Sequence, residues 1–492
     1  MMEKDGLLNF INGKWSHSSA GAHLGVPNPA TAAEMCLVPL SPGAEINQAA
    51  DAAAQAAKEW SRVPATQRIQ YLFRMKRVLE ENLDELSRLC TNECGKTYAE
   101  SKGELQRAIE NVEVACGIPM LMQGYNNEDI ARGIDEHMFR QPVGVTAVIT
   151  PFNFPGMIAF WFMPYALATG NCSIVKPSEK TPMTMTRIFE LFEGVGLPPG
   201  VLQMVHGGKE AVDAILDHPK IRAISFVGSS ATARYIYSRA AANGKRAQCQ
   251  AGAKNPVVIM PDADMDMATR IVADAAFGCA GQRCLALSQV VTVESAREPF
   301  TERMMQTALT RKVGYGLDTG VETGPVIRGE SKARIEGLIA QAETEGAKVL
   351  VEGRGKRVAD FENGYFVFPT VLDGPPQTSS VAHTEIFGPV LSLTHVNTLA
   401  DAIELVNQRS YGNMACIFTS SGMAARKFRQ EASAGNIGIN IGVAAPMAFF
   451  PFSGWNESFF GILHGQGWHA VEFFTQTKVV IERWPSEWTR RF

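Results

Sequence analysis

The hydrophobic positions along this 492-residue chain change from one helical stretch to two alternating blocks, and the change marks its organisation. From Ala50 to Gly117 apolar residues recur at helical spacing, as in Ile69, Leu72, Phe73, Met75, Val78 and Leu79, which predicts helix with one buried stripe. Between about Val143 and Gly252, short β-rich runs alternate with helical ones. Strands are predicted over Val145 to Thr150, Ser173 to Lys176, Leu202 to Val205 and Ile224 to Val227. A second alternating block runs from about Asn255 to Phe449, with strands expected at Val257 to Met260 and Val290 to Val293. Alternation of this kind builds parallel sheets joined by crossover helices, so the expected fold class is α/β, with two doubly wound domains. A cleft between two such domains is a common ligand site. Asn126 to Gln141 and the tail after Trp468 read as peripheral.

One stretch breaks the pattern. Val143 to Val175 contains no Asp, Glu, Lys or Arg, and its length would suit a membrane span. Pro151, Pro155 and Pro164, with Asn153 and Asn171, interrupt it, and proline breaks helical hydrogen bonding. It is read as a strand, a loop and a buried helix, and no membrane partner is expected. Met1 to Trp15 carries Glu3, Lys4 and Asp5 and has no continuous apolar run, which is neither a signal peptide nor an Arg-rich transit sequence. A cytoplasmic protein is expected, with a processed mitochondrial matrix protein as the open alternative.

Composition adds boundaries. A chain of this length exceeds one compact core, so two or three domains are expected. Hydrophobic content of 46%, charged content of 20% and a net charge of −4 describe an ordinary globular protein, with no electrostatic case for nucleic acid. Nine cysteines are scattered without metal-ligand pairs, so they read as reduced thiols and no metal site is expected.

One of those cysteines stands apart. Cys284 lies in Gly278-Cys279-Ala280-Gly281-Gln282-Arg283-Cys284-Leu285, among small residues and directly after an arginine. Asn153 is framed by prolines in Pro151-Phe152-Asn153-Phe154-Pro155. A thiolate attacks a carbonyl well, and a side-chain amide can donate to the oxyanion that forms. Cys279 is the nearest rival thiol, and its placement is expected on an apolar helical stretch. Lys176-Pro177-Ser178-Glu179 ends a predicted strand, where ligands of open α/β sheets gather. Ile224-Ser225-Phe226-Val227-Gly228-Ser229 reads as strand, turn and helix start, whose backbone amides can receive a pyrophosphate. No Gly-x-Gly-x-x-Gly fingerprint follows a strand, so these residues do not make a standard Rossmann motif.

Together with Glu385-Ile386-Phe387-Gly388-Pro389, these motifs resemble the aldehyde dehydrogenase superfamily, collinearly from about Phe10 to about Glu482. The resemblance implies a cofactor-binding domain over 1–122 and 142–252 and a catalytic domain over 253–452. It also implies a small β oligomerisation element over 123–141 and 469–492, hence a homo-oligomer, dimer or tetramer. It makes Cys284 the nucleophile and Asn153 the oxyanion donor. Lys176 and Glu179 would bracket the adenosine ribose. A carboxylate there accepts from the 2′-hydroxyl and repels a 2′-phosphate, which favours NAD. Phe152, Gly228, Ser229, Glu385 and Phe387 complete the implied cofactor set, the last two at the nicotinamide ribose and ring. Ala233 stands where relatives often carry a second glycine.

An absence narrows the reading. Hydrolytic members open the stretch Gln250-Ala251-Gly252-Ala253-Lys254-Asn255 with a glutamate that activates water; Gln250 has no basic lone pair at neutral pH. An acyl-enzyme without that base needs a better acceptor, and coenzyme A fits. Gly252-Ala253-Lys254-Asn255, Gly281-Gln282-Arg283-Cys284 and Ala445 to Trp455 resemble the CoA-acylating methylmalonate-semialdehyde dehydrogenase branch. The branch implies oxidation of methylmalonate or malonate semialdehyde to propanoyl-CoA or acetyl-CoA with loss of CO2. It departs at Cys279, Leu285 and Pro256. Arg107 and Arg283 match the branch's carboxylate-holding arginines; Arg107 alone would read as a helix-face residue paired with Glu104 or Glu110. A hydrolytic dehydrogenase and a non-catalytic structural relative remain as alternatives.

Overall fold

The computed structural model describes residues 6–484. Met1–Asp5 and 485–492, which fall in the expected first and oligomerisation segments, lie outside the described residues. The helical pattern resolves into four helices, Gly43–Trp60, Ala65–Glu81, Leu83–Cys94 and Tyr98–Cys116. Gly95, at φ 87°, ends the third in the left-handed region that a glycine adopts at no steric cost. Thr97 then starts the fourth with a capping box: its Oγ1 accepts from the Glu100 N–H at 3.3 Å, and Glu100 Oε2 accepts from the Thr97 N–H at 2.9 Å. That box fixes a carboxylate that reappears in the site.

The first sheet has eight strands. Its parallel centre runs Leu202–Met204, Cys172–Lys176, Val145–Ile149, Ile221–Val227 and Arg246–Gln250. The chain enters at Val145–Ile149, winds to one side and then to the other, so the switch point lies beside that strand, where ligands of such sheets bind. The expected strands are present with ends shifted by a few residues. Three three-residue strands escape sequence periodicity: Lys14–Ser16 and Asn9–Ile11 add antiparallel at one side, and Phe459–Gly461 returns late in the chain to pair with Arg246–Gln250.

The second sheet has seven strands around Asn255–Ile259, parallel except for Lys348–Val351. A third sheet, of Asn126–Ala131, Ile134–Pro142 and Thr475–Arg483, stands apart, with Ile130, Phe139, Val479 and Ile481 exposed. Its last strand begins at Thr475 and not at 469. Gly467–Phe473 is instead a helix whose Ala470, Val471 and Phe473 are buried, so this part of the tail is packed into the body. Val143 to Val175 is the strand, loop and buried helix expected, the helix being Met163–Ala168. No helix among the described residues is long and apolar enough to cross a membrane.

Candidate active site

The carboxyl ends of the first sheet's strands face the amino ends of the second sheet's strands. Phe152 and Asn153 follow Val145–Ile149, Lys176 closes its own strand, and Gly228 follows Ile221–Val227. From the other side, Cys284 precedes Leu287–Val293 and Glu385 precedes Val390–Val396. A cavity of about 800 Å³ lies between, lined by Phe152, Asn153, Lys176, Glu179, Gly228, Ser229, Cys284, Glu385 and Phe387. A second cavity of about 310 Å³ is lined by Arg107, Arg283 and Cys284, with an apolar wall that includes Phe154, Trp161 and Phe452. Cys284 belongs to both. The sequence-selected residues therefore converge, with the arginines on one side of the thiol and the cofactor candidates on the other.

The larger cavity has the features of a dinucleotide cleft. Ser229 caps helix Ser230–Ala242, accepting from the Thr232 N–H, so the helix N-terminus opens into the cavity. Gly228 leaves room for the Phe226 ring, whose tip a Cβ there would meet at 2.4 Å. Ala233 is buried in the helix without disturbing it. Lys176 Nζ sits 3.5 Å from Glu179 Oε2 and donates to the carbonyls of Pro177 and Gly207 at 2.7 Å each. Burial works against the Glu179 carboxylate, but Lys176, its own backbone N–H and Lys180 together outweigh it and the pKa falls below the usual value. Glu179 thus remains an acceptor that repels an extra phosphate. Phe387, at φ 53°, meets Phe152 edge to face at 5.7 Å. Glu385 accepts from the Ala253 N–H at 3.0 Å, and burial lifts its carboxyl to about 7. These donors, acceptors and rings fit a nicotinamide dinucleotide.

Around the thiol the geometry is tight. Asn255 and Asn413 both donate to the Cys284 carbonyl at 2.8 Å, fixing its backbone. Gly281, at φ 70°, passes so close to the Glu385–Pro389 loop that a Cβ would lie 2.0 Å from the Gly388 carbonyl oxygen. The Asn153 amide is buried and donates to the Gln282 carbonyl at 3.1 Å, two residues before Cys284, and Asn153 and Cys284 both line the larger cavity. Burial, with Glu385 adding, pushes the Cys284 thiol up to about 12; its own N–H, that of Leu285 and Arg283 pull down and lose. Arg283, directly before the thiol, favours the thiolate, but less strongly than burial opposes it. The Arg283 guanidinium is engaged by Glu100 at 2.7 Å, and Cys279 contributes to raising its pKa.

The expected placement of Cys279 is corrected. It lies beyond the end of helix Met265–Phe277, in a short turn at φ 48°, with its N–H donated to Glu100 Oε1 at 2.7 Å. Arg107 does pair with Glu110, at 2.7 Å, as its helix-face reading supposed, yet the pair lines the smaller cavity. Gln250 is buried and lines neither cavity, its Nε2 without a hydrogen-bond partner among the described residues. No cluster of three or more His, Cys, Asp or Glu suited to a metal ion occurs among the described residues.

Several functional candidates were not selected from sequence. Lys96 and Glu104 form a buried ion pair beneath the Asn153 loop, with Lys96 Nζ donating to the Asn153 carbonyl at 2.6 Å. Glu100 and Glu110 hold the two arginines. The Thr97-x-x-Glu100 capping signature could have located Glu100; nothing local marks the others.

A thiol at the junction of a dinucleotide cleft and a small arginine-lined cavity, with an amide donor beside it, defines a cysteine-dependent oxidoreductase of carbonyl compounds. The chain belongs to the aldehyde dehydrogenase family, whose model matches residues 15–480. It is 47% identical over 478 residues to malonate-semialdehyde dehydrogenase 2 of Geobacillus kaustophilus (strain HTA426), covering 97% of this chain and 99% of that one. A crystal structure of a methylmalonate-semialdehyde dehydrogenase from Oceanimonas doudoroffii matches with a TM-score of 0.96 at 43% identity, covering 98% and 99% of the two chains. A methylmalonate-semialdehyde dehydrogenase candidate from Sinorhizobium meliloti 1021, crystallised with NAD, matches with a TM-score of 0.96 at 39% identity over 99% of each chain.

Proposed function

We propose that the protein is an NAD-dependent, CoA-acylating dehydrogenase of malonate semialdehyde or its methyl homologue, releasing CO2 and acetyl-CoA or propanoyl-CoA. One observation carries the reading: Cys284 joins the dinucleotide-shaped cleft to a small cavity bearing Arg107 and Arg283. In this reading the aldehyde enters the small cavity with its carboxylate toward the arginines, and Cys284 adds to the carbonyl carbon. The new oxyanion takes hydrogen bonds from Asn153 Nδ2 and the Cys284 N–H. A bound nicotinamide supplies a hydride acceptor and, being cationic, favours the thiolate over the thiol. Phe152, Lys176, Glu179, Gly228, Ser229, Glu385 and Phe387 would hold that cofactor. The Cys284 thioester then loses its β-carboxylate as CO2, its carbonyl taking the electron pair, and the CoA thiol receives the acyl group.

The same reading assigns the cofactor to the first sheet's domain, residues 1–122 and 142–252, and the thiol to residues 253–452. The exposed apolar face of the third sheet suits assembly of a homo-oligomer. One observation favours a hydrolytic alternative: Glu385, near Cys284 and lifted to about 7, could serve as a base for water in place of Gln250. The test is NADH formation with and without CoA. A burst near one equivalent per site followed by slow turnover, relieved by CoA with acyl-CoA as product, is expected. Rapid turnover to free acid without CoA would overturn the acylating reading.

A further inference from the structure

The two arginines of the small cavity are already paired before any substrate arrives. Arg283 Nη2 lies 2.7 Å from Glu100 Oε1, and Arg107 Nη1 lies 2.7 Å from Glu110 Oε2. Neither carboxylate is free to swing away. Glu100 accepts from the Thr97 N–H at 2.9 Å and the Cys279 N–H at 2.7 Å. Burial opposes its ionisation, yet Arg283 and these two N–H groups prevail and its pKa falls below the usual range. Glu110 Oε1 accepts from the Ala448 N–H at 3.2 Å, which ties it to the loop forming the cavity's opposite wall. Each guanidinium thus faces one fixed carboxylate and keeps further N–H groups for another anion.

We infer that Glu110 and Glu100 act as resident counter-ions of the carboxylate clamp, positioning residues that set both its affinity and the ease of decarboxylation. The inference rests on the proposed function. When the thioacyl-enzyme loses CO2, the C–C bond breaks and its electron pair moves to the thioester enolate at Asn153. A solvent proton then completes the acyl group. The negative charge leaves the arginines in that step. Had they no other partner, the site would stabilise the carboxylate ground state far more than the transition state, and catalysis depends on the reverse. It would also leave two partly buried cations unpaired afterward, which is costly. Anchored carboxylates remove both penalties: the arginines hold the substrate moderately and are never left unpaired.

Glu110→Gln isolates the charge, because its amide oxygen can still accept from the Ala448 N–H. An ion pair worth about 1 kcal/mol corresponds to about fivefold. The expected result is a KM for malonate semialdehyde lowered about fivefold relative to that for propanal. CO2 release in a single turnover without CoA should also slow about fivefold relative to the NADH burst. Glu110→Asp, which keeps the charge, should move both readouts back toward wild type. If Glu110→Gln does not fold, Glu100→Gln carries the same two readouts on the other arm. An unchanged KM ratio, or CO2 release at the wild-type rate, overturns the inference and leaves Glu110 as a loop tether. A wild-type enzyme that releases neither CO2 nor acyl-CoA from malonate semialdehyde would instead refute the proposed function.

Discussion

Replacing Lys96 by methionine tests whether Asn153, the proposed oxyanion donor, depends on a buried ion pair that touches neither cofactor nor aldehyde in the proposed reaction. Lys96 Nζ lies 2.5 Å from Glu104 Oε2 and 2.6 Å from the Asn153 carbonyl oxygen, and 4.0 Å from the centre of the Phe154 ring. The two side chains are 1% and 0% exposed. Burial disfavours the ammonium, but Glu104 with the neighbouring Cys94, Cys279 and Cys90 together more than offset it, so the Lys96 pKa stands above its ordinary value. The other Glu104 oxygen accepts from the Gly156 N–H at 2.7 Å and the Met157 N–H at 3.1 Å. The pair therefore pins the Asn153–Met157 loop at both ends.

Methionine matches the length of the lysine stem without its charge, and it strands Glu104 in the interior. Breaking a buried pair in this way costs about 3–5 kcal/mol of stability. Removing an oxyanion donor outright costs about 10²- to 10³-fold in kcat. Here the amide stays and only its backbone anchor goes, so a loss of about tenfold to a hundredfold is expected. Calorimetry measures the stability, and the rate of the pre-steady-state NADH burst measures the chemistry. NAD affinity, read by fluorescence quenching, should hold within about twofold, since no Lys96 contact reaches the larger cavity's adenosine end. A destabilised Lys96→Met enzyme with a wild-type burst rate would refute the link between the pair and Asn153.

Cys284→Ala should abolish NADH formation while retaining NAD binding, and Cys279→Ala should keep most activity; the opposite pattern would reassign the nucleophile. Arg107→Leu should lower the ratio of kcat/KM for methylmalonate semialdehyde over propanal by about tenfold, the low end for a charged hydrogen bond because the side chain is 37% exposed. An unchanged ratio would make Arg107 a helix-face residue. Glu385 has a folded pKa of about 7 against an ordinary 4.5, so its neutral form favours folding. That contribution is complete below pH 4.5 and is lost as the pH rises through 7. The Tm difference between wild type and Glu385→Gln in the cofactor-free protein should therefore shift against the wild type from pH 5 to 8. Glu93, raised to about 7 by burial, acts in the same direction in both, and His206, lowered to about 3 by burial, acts in the opposite direction in both, so the difference isolates Glu385.

The legibility of this chain follows from how locally each feature is encoded. Cys284, Asn153 and the Glu385 loop sit in compact motifs whose order along the chain constrains them jointly, and the structure gathers them at one junction. Parallel strands such as Ile221–Val227 are buried on both faces and show as continuous β-rich runs. Three-residue strands such as Phe459–Gly461 offer no periodicity, so their return to the first sheet could not be read. Cys279 was misplaced because Gly278 ends the helix one residue earlier and the chain turns into positive φ, which an apolar run conceals. Partnerships across space were the least visible. Trp161 and Phe452 pack with ring centroids 4.4 Å apart, and Tyr165 reaches the Ala448 carbonyl, though each pair spans nearly three hundred positions.

The arrangement of the two sheets explains why one cysteine can serve two cavities. Carboxyl ends of parallel strands lead into helix N-termini, which present N–H donors and a positive dipole end, the right lining for a pyrophosphate. Amino ends of strands receive loops, and the Cys284 loop is held by Asn255, itself at the start of its strand, and by Asn413 just before Met414–Phe418. Donors from two neighbouring strands on one carbonyl leave the thiol little freedom. It faces the dinucleotide cleft on one side and the arginines on the other. A resting thiol lifted to about 12 by burial and Glu385 is chemically quiet. In the proposed reaction a cationic nicotinamide entering the cleft would favour the thiolate, which would tie activation of the thiol to the presence of the group that accepts the electrons.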